Sequence, residues 1–395
     1  MRIGLLTYFW EDNPGQFFQA LATVEVLRKV FPEAQVEIPD VRHWAQPWRV
    51  ISLRDTLTRP WRNIAQHRRG VLYNDARRRY LPICGRTVVT NDPAEAVDEI
   101  GKRNYDLLVV GSDTTLFLLG PERVRENLPP LYWLAGLPAV PRAMLASCSH
   151  NVRYEALTAV QREVMGRALK AFSFCAVRDP LTLKLLETLG PAEGVPLRLV
   201  PDPTFAYEVD PSPAQALWAR RKFRKKRAVC GFNIPWGTPF AVQLVRLLER
   251  EFDIVELRGY HSGYKALMEL GPFEWCGIFS QPDLCVTSSF HESIFCLKQG
   301  APVFTVEGNP ARFDPHSGKS KAYFLHEEFG TLDRNYFNPY GPGVTAEGVF
   351  EKILANRQSF DSQAAVEHAR QLGQRYLDTA RDMRRTVAGL IGLGS

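Results

Sequence analysis

The sequence predicts an α/β fold with two mostly parallel sheets and a helical C-terminal segment. Short apolar runs rich in β-branched residues alternate with amphipathic helical patterns along both halves of the 395-residue chain. A stretch rich in proline and basic residues, 209–227, lies between the halves. From Ala346 to Leu390 the pattern is helical with arginine-rich faces. Because strands that alternate with helices form parallel units with right-handed crossovers, each half is expected to build its own sheet.

The first half begins with a strand and an amphipathic helix separated by a polar turn. Its predicted strands are 3–9, 35–38, 107–110, 144–147, 172–177 and 197–200, and its predicted helices are 16–30, 92–102, 159–171 and 179–189. Asp92 precedes Pro93 and Asp179 precedes Pro180, which is the arrangement of an N-cap followed by proline at the first helical position. Residues 43–82 are expected to be irregular to helical and to leave the sheet.

The second half repeats the alternation. Its predicted strands are 228–233, 254–257, 284–286 and 303–306, and its predicted helices are 240–251, 264–270 and 294–300. We therefore predict a first Rossmann-like domain over 1–208 and a second over 228–345. A helical tail over 346–395 is expected to pack back on the domains.

Composition indicates an ordinary globular protein, with 45% hydrophobic and 23% charged residues. No apolar run approaches the roughly 20 residues that span a bilayer. Met1 to Trp10 is a poor signal peptide and a good first strand. The seven cysteines are odd in number and include no C-x-x-C pair. They predict neither a disulfide framework nor a zinc site, and a reducing cytoplasm is the expected compartment.

The net charge of +6 is unevenly distributed. Ten arginines lie between Arg42 and Pro82 against two acidic residues, and a second basic cluster occupies 220–227. Such segments bind anionic membrane surfaces, anionic substrates or nucleic acid, or else they are solvated helix faces and a linker. No nucleic-acid motif is present, so nucleic-acid binding is not expected.

The segment from Asp283 to Val306 carries the strongest functional signal. It reads as a strand, a polar turn with Ser288, Ser289 and His291, a helix, and a second strand. In a parallel sheet that turn lies at the carboxyl edge, where ligands bind. A helix N-terminus there offers N–H groups to an anion, and the imidazole offers a proton. The alternative is purely structural, because Ser289 and Glu292 have the spacing of a capping box.

Five segments together resemble the polysaccharide pyruvyl transferases. Asn13, Gly15 and Gln19 match the N-Y-G-x-x-x-Q-A start of that family. The others are 105–113 (Y-D-x-x-x-x-G-S-D), 176–179 (S-V-R-E), 202–204 (D-P-T) and 283–302 (D-x-V-I-T-S-S-F-H-G, a helix and G-x-P). They follow the family order over some 300 residues.

The resemblance implies a GT-B-like architecture with two Rossmann-like domains facing a cleft. It also implies transfer of the pyruvyl group of phosphoenolpyruvate to a sugar, often as a ketal on two hydroxyls. The residues that match the family's phosphoenolpyruvate site are Arg178, which would bind the donor anion, and His291, which would donate a proton. The whole interpretation requires these two side chains to converge on one crevice.

The sequence departs from the family at several positions. Glu292 replaces the glycine after the histidine, Pro14 replaces tyrosine, and Thr114 and Thr115 replace a Q-V-W-like stretch. A carboxylate beside an anion site opposes phosphate binding. Glu292 is therefore expected either to be neutralised in the capping box or to face the sugar as a base.

Further residues complete the predicted site. Asp113 is expected to orient a sugar hydroxyl or a cationic residue, or to cap a turn, and Asp202 to close a turn. The substrate-binding candidates are Ser288, Ser289, Asn13, Gly15, Gln19, Ser112, Asp113 and Glu292. No metal and no cofactor are expected, because the sequence contains no H-x-x-H, D-x-D or G-x-G-x-x-G and its G-K-S at 318–320 lacks the rest of a P-loop.

The predicted partners are phosphoenolpyruvate and a sugar or lipid-linked oligosaccharide acceptor. A cytoplasmic location is expected, at the inner face of the membrane if the basic segments bind anionic lipid. Two alternatives stay open: a nucleotide-sugar glycosyltransferase on the same two-domain plan, and a non-catalytic scaffold that binds a membrane partner through residues 42–79.

Overall fold

The computed structural model describes residues 1–42, 60–90, 92–116, 131–137, 139–149, 152–220, 228–234, 238–257, 265–266, 270–310, 313 and 318–392. The chain divides into two compact units. The first comprises Met1–Ile51, Asp75–Tyr207 and Leu372–Ser395, and the second comprises Ser52–Asn74 and Glu208–Gln371.

A seven-stranded parallel sheet forms the centre of the first unit. Its strands are β1 (Arg2–Leu6), β2 (Gln35–Arg42), β3 (Ile83–Val89), β4 (Leu107–Val110), β5 (Arg142–Ser147), β6 (Phe174–Val177) and β7 (Leu197–Leu199). They lie in the order β3-β2-β1-β4-β5-β6-β7. β1 is internal, because Ile3 pairs with Val36 on one side and with Leu107 on the other. This is the Rossmann order with one added strand, and the chain reverses direction across the sheet between β1 and β4.

The five described helices that precede residue 208 begin within two residues of their predicted starts, except the one at Pro60–Tyr80, which lies in the segment expected to be irregular to helical and had no predicted start. They are α1 (Pro14–Val30), α2 (Pro60–Tyr80), α3 (Pro93–Gly101), α4 (Ala159–Leu169) and α5 (Pro180–Leu189). Asn13, Asp92 and Asp179 cap α1, α3 and α5, and each cap is followed by proline. The aspartate caps at 92 and 179 are confirmed, since each side chain accepts a hydrogen bond from a backbone N–H of the first turn.

The second unit contains a six-stranded parallel sheet. Its strands are β8 (Ala228–Asn233), β9 (Phe252–Glu256), β10 (Lys265–Ala266), β11 (Leu284–Thr287), β12 (Val303–Val306) and β13 (Tyr336–Phe337). They lie in the order β10-β9-β8-β11-β12-β13, which is again the Rossmann order. The reversal falls between β8 and β11, so the turn after β11 lies at the topological switch point.

The helices that follow in chain order complete the fold. They are α6 (Ser212–Arg220), α7 (Pro239–Leu248), α8 (Pro272–Gly277), α9 (Phe290–Lys298), α10 (Lys321–Glu328), α11 (Leu332–Asn335), α12 (Ala346–Asn356) and α13 (Ser362–Ala388). Helices α2 and α13 each contribute residues to both units. The predicted fold class, α/β with two parallel Rossmann-like sheets and C-terminal helices, is confirmed.

Some predicted elements are wrong. The predicted helix 264–270 contains strand β10 at Lys265–Ala266, and its remaining residues apart from Leu270 lie outside the described part. Strands β3 and β13 were not predicted. β3 is an edge strand whose side chains are largely exposed, so it lacks the apolar run that marks a buried strand. The connection 209–227 contains helix α6, and 221–227 lie outside the described residues.

Candidate active site

The serine–histidine turn of the second unit lies between β11 and α9. The Ser288 N–H donates to the carbonyl oxygen of Asn233 at 2.9 Å, which ties the turn to the end of β8. The Ser289 N–H donates to Thr287 Oγ1 at 3.0 Å. His291 lies in the first turn of α9, half-buried, with its ring 5.3 Å from that of Phe290 in an edge-to-face arrangement. The turn therefore presents a helix N-terminus and an imidazole at the carboxyl edge of the sheet.

Glu292 does not form the expected capping box. The Ser289 side chain makes no capping hydrogen bond to α9. The Glu292 carboxylate is instead fully buried, accepting hydrogen bonds from Asn233 Nδ2 and from Thr287 Oγ1, both at 2.6 Å. It therefore joins the ends of β8 and β11 beneath the turn. This contact explains how a carboxylate can occupy the glycine position of the family motif.

A buried chain of hydrogen bonds holds the turn from below. Ser293 Oγ donates to the Ser289 carbonyl at 3.1 Å and lies 2.8 Å from Thr305 Oγ1. His326 Nε2 lies 2.7 Å from Thr305 Oγ1, and His326 Nδ1 lies 2.8 Å from Thr331 Oγ1. This series of hydrogen bonds thus links α9, β12 and α10.

The direction of each hydrogen bond in this chain follows from counting protons. Ser293 uses its only hydroxyl proton on Ser289, so it must accept from Thr305. Thr305 must then accept from His326 Nε2. In a neutral ring Nδ1 accepts from the Thr331 hydroxyl, which also lies 3.5 Å from the His326 carbonyl oxygen. Full burial lowers the pKa of His326 from 6.5 to about 3, which agrees with this neutral tautomer.

Arg178 anchors the site of the first unit. It follows β6, its side chain is 5% exposed, and its Nη1 donates to Asp202 Oδ2 at 2.5 Å. Its Nη2 lies 4.0 Å from Asp113 Oδ1. Burial alone would lower the pKa of Arg178, but the charges of Asp202 and Asp113 raise it above the ordinary value. The guanidinium is therefore held charged and in place by the two carboxylates.

Asp202 is more than the turn residue expected from the sequence. Its Oδ1 caps the turn 203–205 by accepting from the Thr204 N–H and hydroxyl, and its Oδ2 accepts from Arg178. Gln19 Nε2 also donates to Asp202 Oδ2, at 2.7 Å. This one carboxylate therefore connects α1, the end of β6 and the end of β7. The family-like D-P-T segment was the sequence signal for it.

Asp113 lies at the end of β4 in a left-handed backbone conformation, with φ of 72°. Gly111 before it has φ of 145°, and a Cβ there would lie 1.8 Å from the Leu145 carbonyl oxygen, so this position requires glycine. Partial burial and then the charge of Asp113 raise the pKa of Glu11, which follows β1. Glu11 was not among the predicted site residues, although a carboxylate just after a first strand is a usable signal.

The other candidates of the first unit have identifiable structural contacts. Asn13 Oδ1 caps α1 by accepting from the Gly15 N–H at 3.0 Å. Ser112 Oγ lies 3.5 Å from Thr23 Oγ1, which also lies 3.2 Å from the Tyr376 hydroxyl of α13. Arg178, Asp113 and Gln19 thus share the Asp202 cluster, with Ser112 beside it. Arg178 and His291 belong to different units, and their convergence on one ligand stays a prediction.

Two further observations concern the described residues only. They include no group of three or more His, Cys, Asp or Glu side chains placed to hold a metal ion. No helix among them is both long and apolar enough to cross a membrane.

Comparison with protein families decides the family. The model of the polysaccharide pyruvyl transferase family matches residues 13–310, a range that includes all five segments noted in the sequence. The chain belongs to the polysaccharide pyruvyl transferase family. Membership of this family supports a transferase that acts in polysaccharide modification. No curated protein matches the sequence significantly.

Solved structures similar to this family member share its fold over nearly the whole chain. Anabaena Alr3699/HepE in complex with UDP is 13% identical, with a TM-score of 0.54 and coverage of 98% of this chain and 100% of that one. Neisseria meningitidis UDP-GlcNAc 2-epimerase bound to UDP-GlcNAc is 9% identical, with a TM-score of 0.54 and the same two coverages. The Methanocaldococcus jannaschii UDP-GlcNAc 2-epimerase is 8% identical, with a TM-score of 0.50 and coverage of 95% and 100%. At these identities the likeness shows the fold alone.

Proposed function

We propose that this protein transfers the pyruvyl group of phosphoenolpyruvate to a sugar of a cell-surface polysaccharide or of its lipid-linked precursor. The observation that carries the proposal is the family match over 13–310. The placement of His291 and of Arg178 just beyond the carboxyl ends of parallel strands supports it, because ligands of such sheets bind at that edge.

The proposed reaction forms a ketal. A proton from His291 adds to the methylene carbon of phosphoenolpyruvate, which becomes a methyl group, and positive charge develops on the neighbouring carbon. One sugar hydroxyl bonds to that carbon. A second hydroxyl then bonds to the same carbon as the bond between that carbon and the phosphate ester oxygen breaks. Inorganic phosphate leaves. Of the two hydroxyl protons, one restores His291 and the other leaves with phosphate.

The remaining candidates have roles in this proposal that follow from their chemistry. The planar guanidinium of Arg178 binds a donor oxyanion while Asp202 fixes its orientation. Ser288, Ser289 and the N–H groups at the start of α9 donate to the other anionic group. Glu292 supports that turn from below. Asp113 accepts from a sugar hydroxyl. Asn13, Gly15, Gln19 and Ser112 support that edge of the site through the structural contacts described above.

The test is phosphate release from phosphoenolpyruvate with a panel of soluble and lipid-linked sugars, and a mass increase of the acceptor. His291→Ala should abolish transfer, and Arg178→Lys should raise the KM for phosphoenolpyruvate because lysine cannot bind an oxyanion through two parallel N–H bonds. His368→Ala, which changes a half-exposed histidine of α13, is the matched control and should transfer normally. The proposal fails if no acceptor gains mass and His291→Ala changes nothing.

The alternative is a nucleotide-sugar glycosyltransferase on the same two-domain plan; proteins of similar fold have been solved with UDP and with UDP-GlcNAc. Thermal stabilisation by UDP but not by phosphoenolpyruvate would favour it. Stabilisation by phosphoenolpyruvate that is lost in Arg178→Lys would favour pyruvyl transfer. A lipid-linked acceptor would place the protein in the cytoplasm at the inner face of the membrane.

A further inference from the structure

Helix α2 (Pro60–Tyr80) has two faces of different character. Its buried face contains Ala65, Tyr73, Ala76 and Arg77, and Arg77 anchors it by donating to the Glu11 carbonyl at 2.8 Å. The opposite face is exposed and follows the helical spacing of three, four and seven residues. Its members are Ile64, His67, Arg68, Val71, Leu72, Asp75, Arg78 and Arg79. We call this set the α2 outer face.

The α2 outer face combines aliphatic and cationic side chains. Ile64 is 42% exposed, Val71 45% and Leu72 39%, and they recur at intervals of seven and eight residues on one side of the helix. Three arginines stand against the single carboxylate of Asp75. Exposed aliphatic side chains on the same helix face as several arginines are typical of an interaction surface.

We propose that the α2 outer face docks on an anionic phospholipid bilayer. In this arrangement the helix lies in the plane of the headgroups, where Ile64, Val71 and Leu72 enter the boundary of the acyl chains. Arg78 and Arg79 pair with lipid phosphates. Nucleic acid would use the arginines but would leave the three aliphatic side chains in water, so the bilayer fits the whole face better.

The inference rests on the proposed function in one respect, because a lipid-linked acceptor would bring the protein to the membrane. The binding itself needs no turnover. Membrane docking can therefore fail while pyruvyl transfer to a soluble sugar survives, and transfer can fail while docking survives.

The experiment is co-sedimentation of the full chain with vesicles of phosphatidylcholine alone and of phosphatidylcholine with phosphatidylglycerol. Binding should require phosphatidylglycerol. Each basic residue near such a surface contributes about 1 kcal/mol, so R78A/R79A should weaken partitioning about 25-fold. I64S/V71S keeps every charge and should also weaken it, because the aliphatic side chains no longer enter the bilayer.

The matched control is R370A/R381A, which removes the same charge from exposed positions of α13 and should bind as the unaltered protein does. Circular dichroism melts confirm that every variant is folded. The proposal is overturned if vesicles do not bind, if neutral vesicles bind equally, or if I64S/V71S binds normally. Binding of a DNA duplex that depends on Arg78 and Arg79, in the absence of vesicle binding, would assign the face to nucleic acid instead.

Discussion

At the scale of single residues, the buried pair of Arg178 and Asp202 is expected to stabilise the first unit. Their side chains are 5% and 1% exposed. Asp202→Asn keeps the shape but removes the counter-charge of a buried guanidinium. Because breaking a buried ion pair leaves an uncompensated charge, the free energy of unfolding should fall by about 3 kcal/mol, as measured by urea denaturation.

Asp382 provides the matched control for this prediction. It pairs with Arg198 in the same unit, but the two side chains are 26% and 44% exposed. Asp382→Asn should cost less than about 1 kcal/mol, because solvent screens exposed pairs. Similar losses in the two variants would show that burial does not strengthen the Arg178–Asp202 pair.

The sequence predicted where the polar residues cluster better than which partner each one takes. His291, Ser288 and Ser289 were expected at a strand end and lie there. The capping-box interpretation of Glu292 was wrong, because its partner Asn233 is 59 residues away in the chain and adjoins it only through the pairing of β8 with β11. Local spacing cannot reveal a contact that the sheet creates.

At the scale of secondary-structure elements, the hydrogen bonds that join His326 to Thr305 and Thr331 predict a pH dependence of stability. The pKa of His326 is about 3 in the folded protein, against 6.5 for an ordinary histidine. Between about pH 3 and pH 6.5 the histidine of the unfolded chain is protonated, whereas that of the folded protein is neutral. The stability contributed by neutral His326 is therefore complete above pH 6.5 and is lost as the pH falls towards 3. The unfolding free energy should decrease by about 1.4 kcal/mol per pH unit from this group.

The measurement compares denaturant unfolding of the unaltered protein and His326→Gln across this pH range. Glutamine can still donate to Thr305 and accept from Thr331, but it does not titrate, so its curve should lack that slope. His326→Phe should be less stable than His326→Gln at every pH, because neither variant titrates and phenylalanine removes the ring partner of both hydroxyls. Parallel pH curves for the unaltered protein and His326→Gln would contradict the assigned neutral state.

The close contact of α13 with the turn after β7 predicts that adding a methyl group at Gly373 lowers the stability of the protein. A Cβ at Gly373 would lie 2.6 Å from the Phe205 carbonyl oxygen. Alanine usually favours a helix by about 1 kcal/mol over glycine, but here the clash with backbone should reverse the sign. Thermal melts should show Gly373→Ala destabilised.

Gly348 of α12 is the control, because a Cβ there would meet only Thr345 Oγ1 at 3.4 Å, an ordinary contact. Gly348→Ala should be neutral or stabilising. Destabilisation of both variants, or of neither, would argue against the close packing of α13.

Elements with strong local signals were predictable and weak ones were not. Strand β4 agrees with its prediction because it is fully buried and therefore consists of one apolar run. Helix α5 agrees because an aspartate cap and a terminal glycine mark its two ends. Strand β10 has two residues, too few for any periodicity. Edge strands and very short strands depend on neighbours that the local pattern does not contain.

At the scale of the whole molecule, the segment that matches the family model is shorter than the chain that folds into the two units. Residues 13–310 omit β1, which is the strand between β2 and β4, and all of α13. A fragment of 13–310 should therefore be insoluble or show no cooperative thermal transition, while the full chain shows one. A soluble fragment with a cooperative melt followed by circular dichroism would contradict the essential role of β1.

The alternation of strands and helices was sufficient to predict two α/β units. It could not show that Leu372–Ser395 contributes to the first unit and Ser52–Asn74 to the second. An amphipathic pattern specifies that a helix has an apolar face, but not which core that face covers.

The place of α13 has a consequence for synthesis on the ribosome. Tyr376, Met383 and Val387 are fully buried, and Tyr376 reaches Thr23 of α1. The first unit is thus completed by a helix that lies 353 residues further along the chain than Thr23, the residue it contacts. Until α13 has left the exit tunnel, the nascent first unit keeps apolar surface uncovered, and a chaperone would be of most use to the chain at that stage.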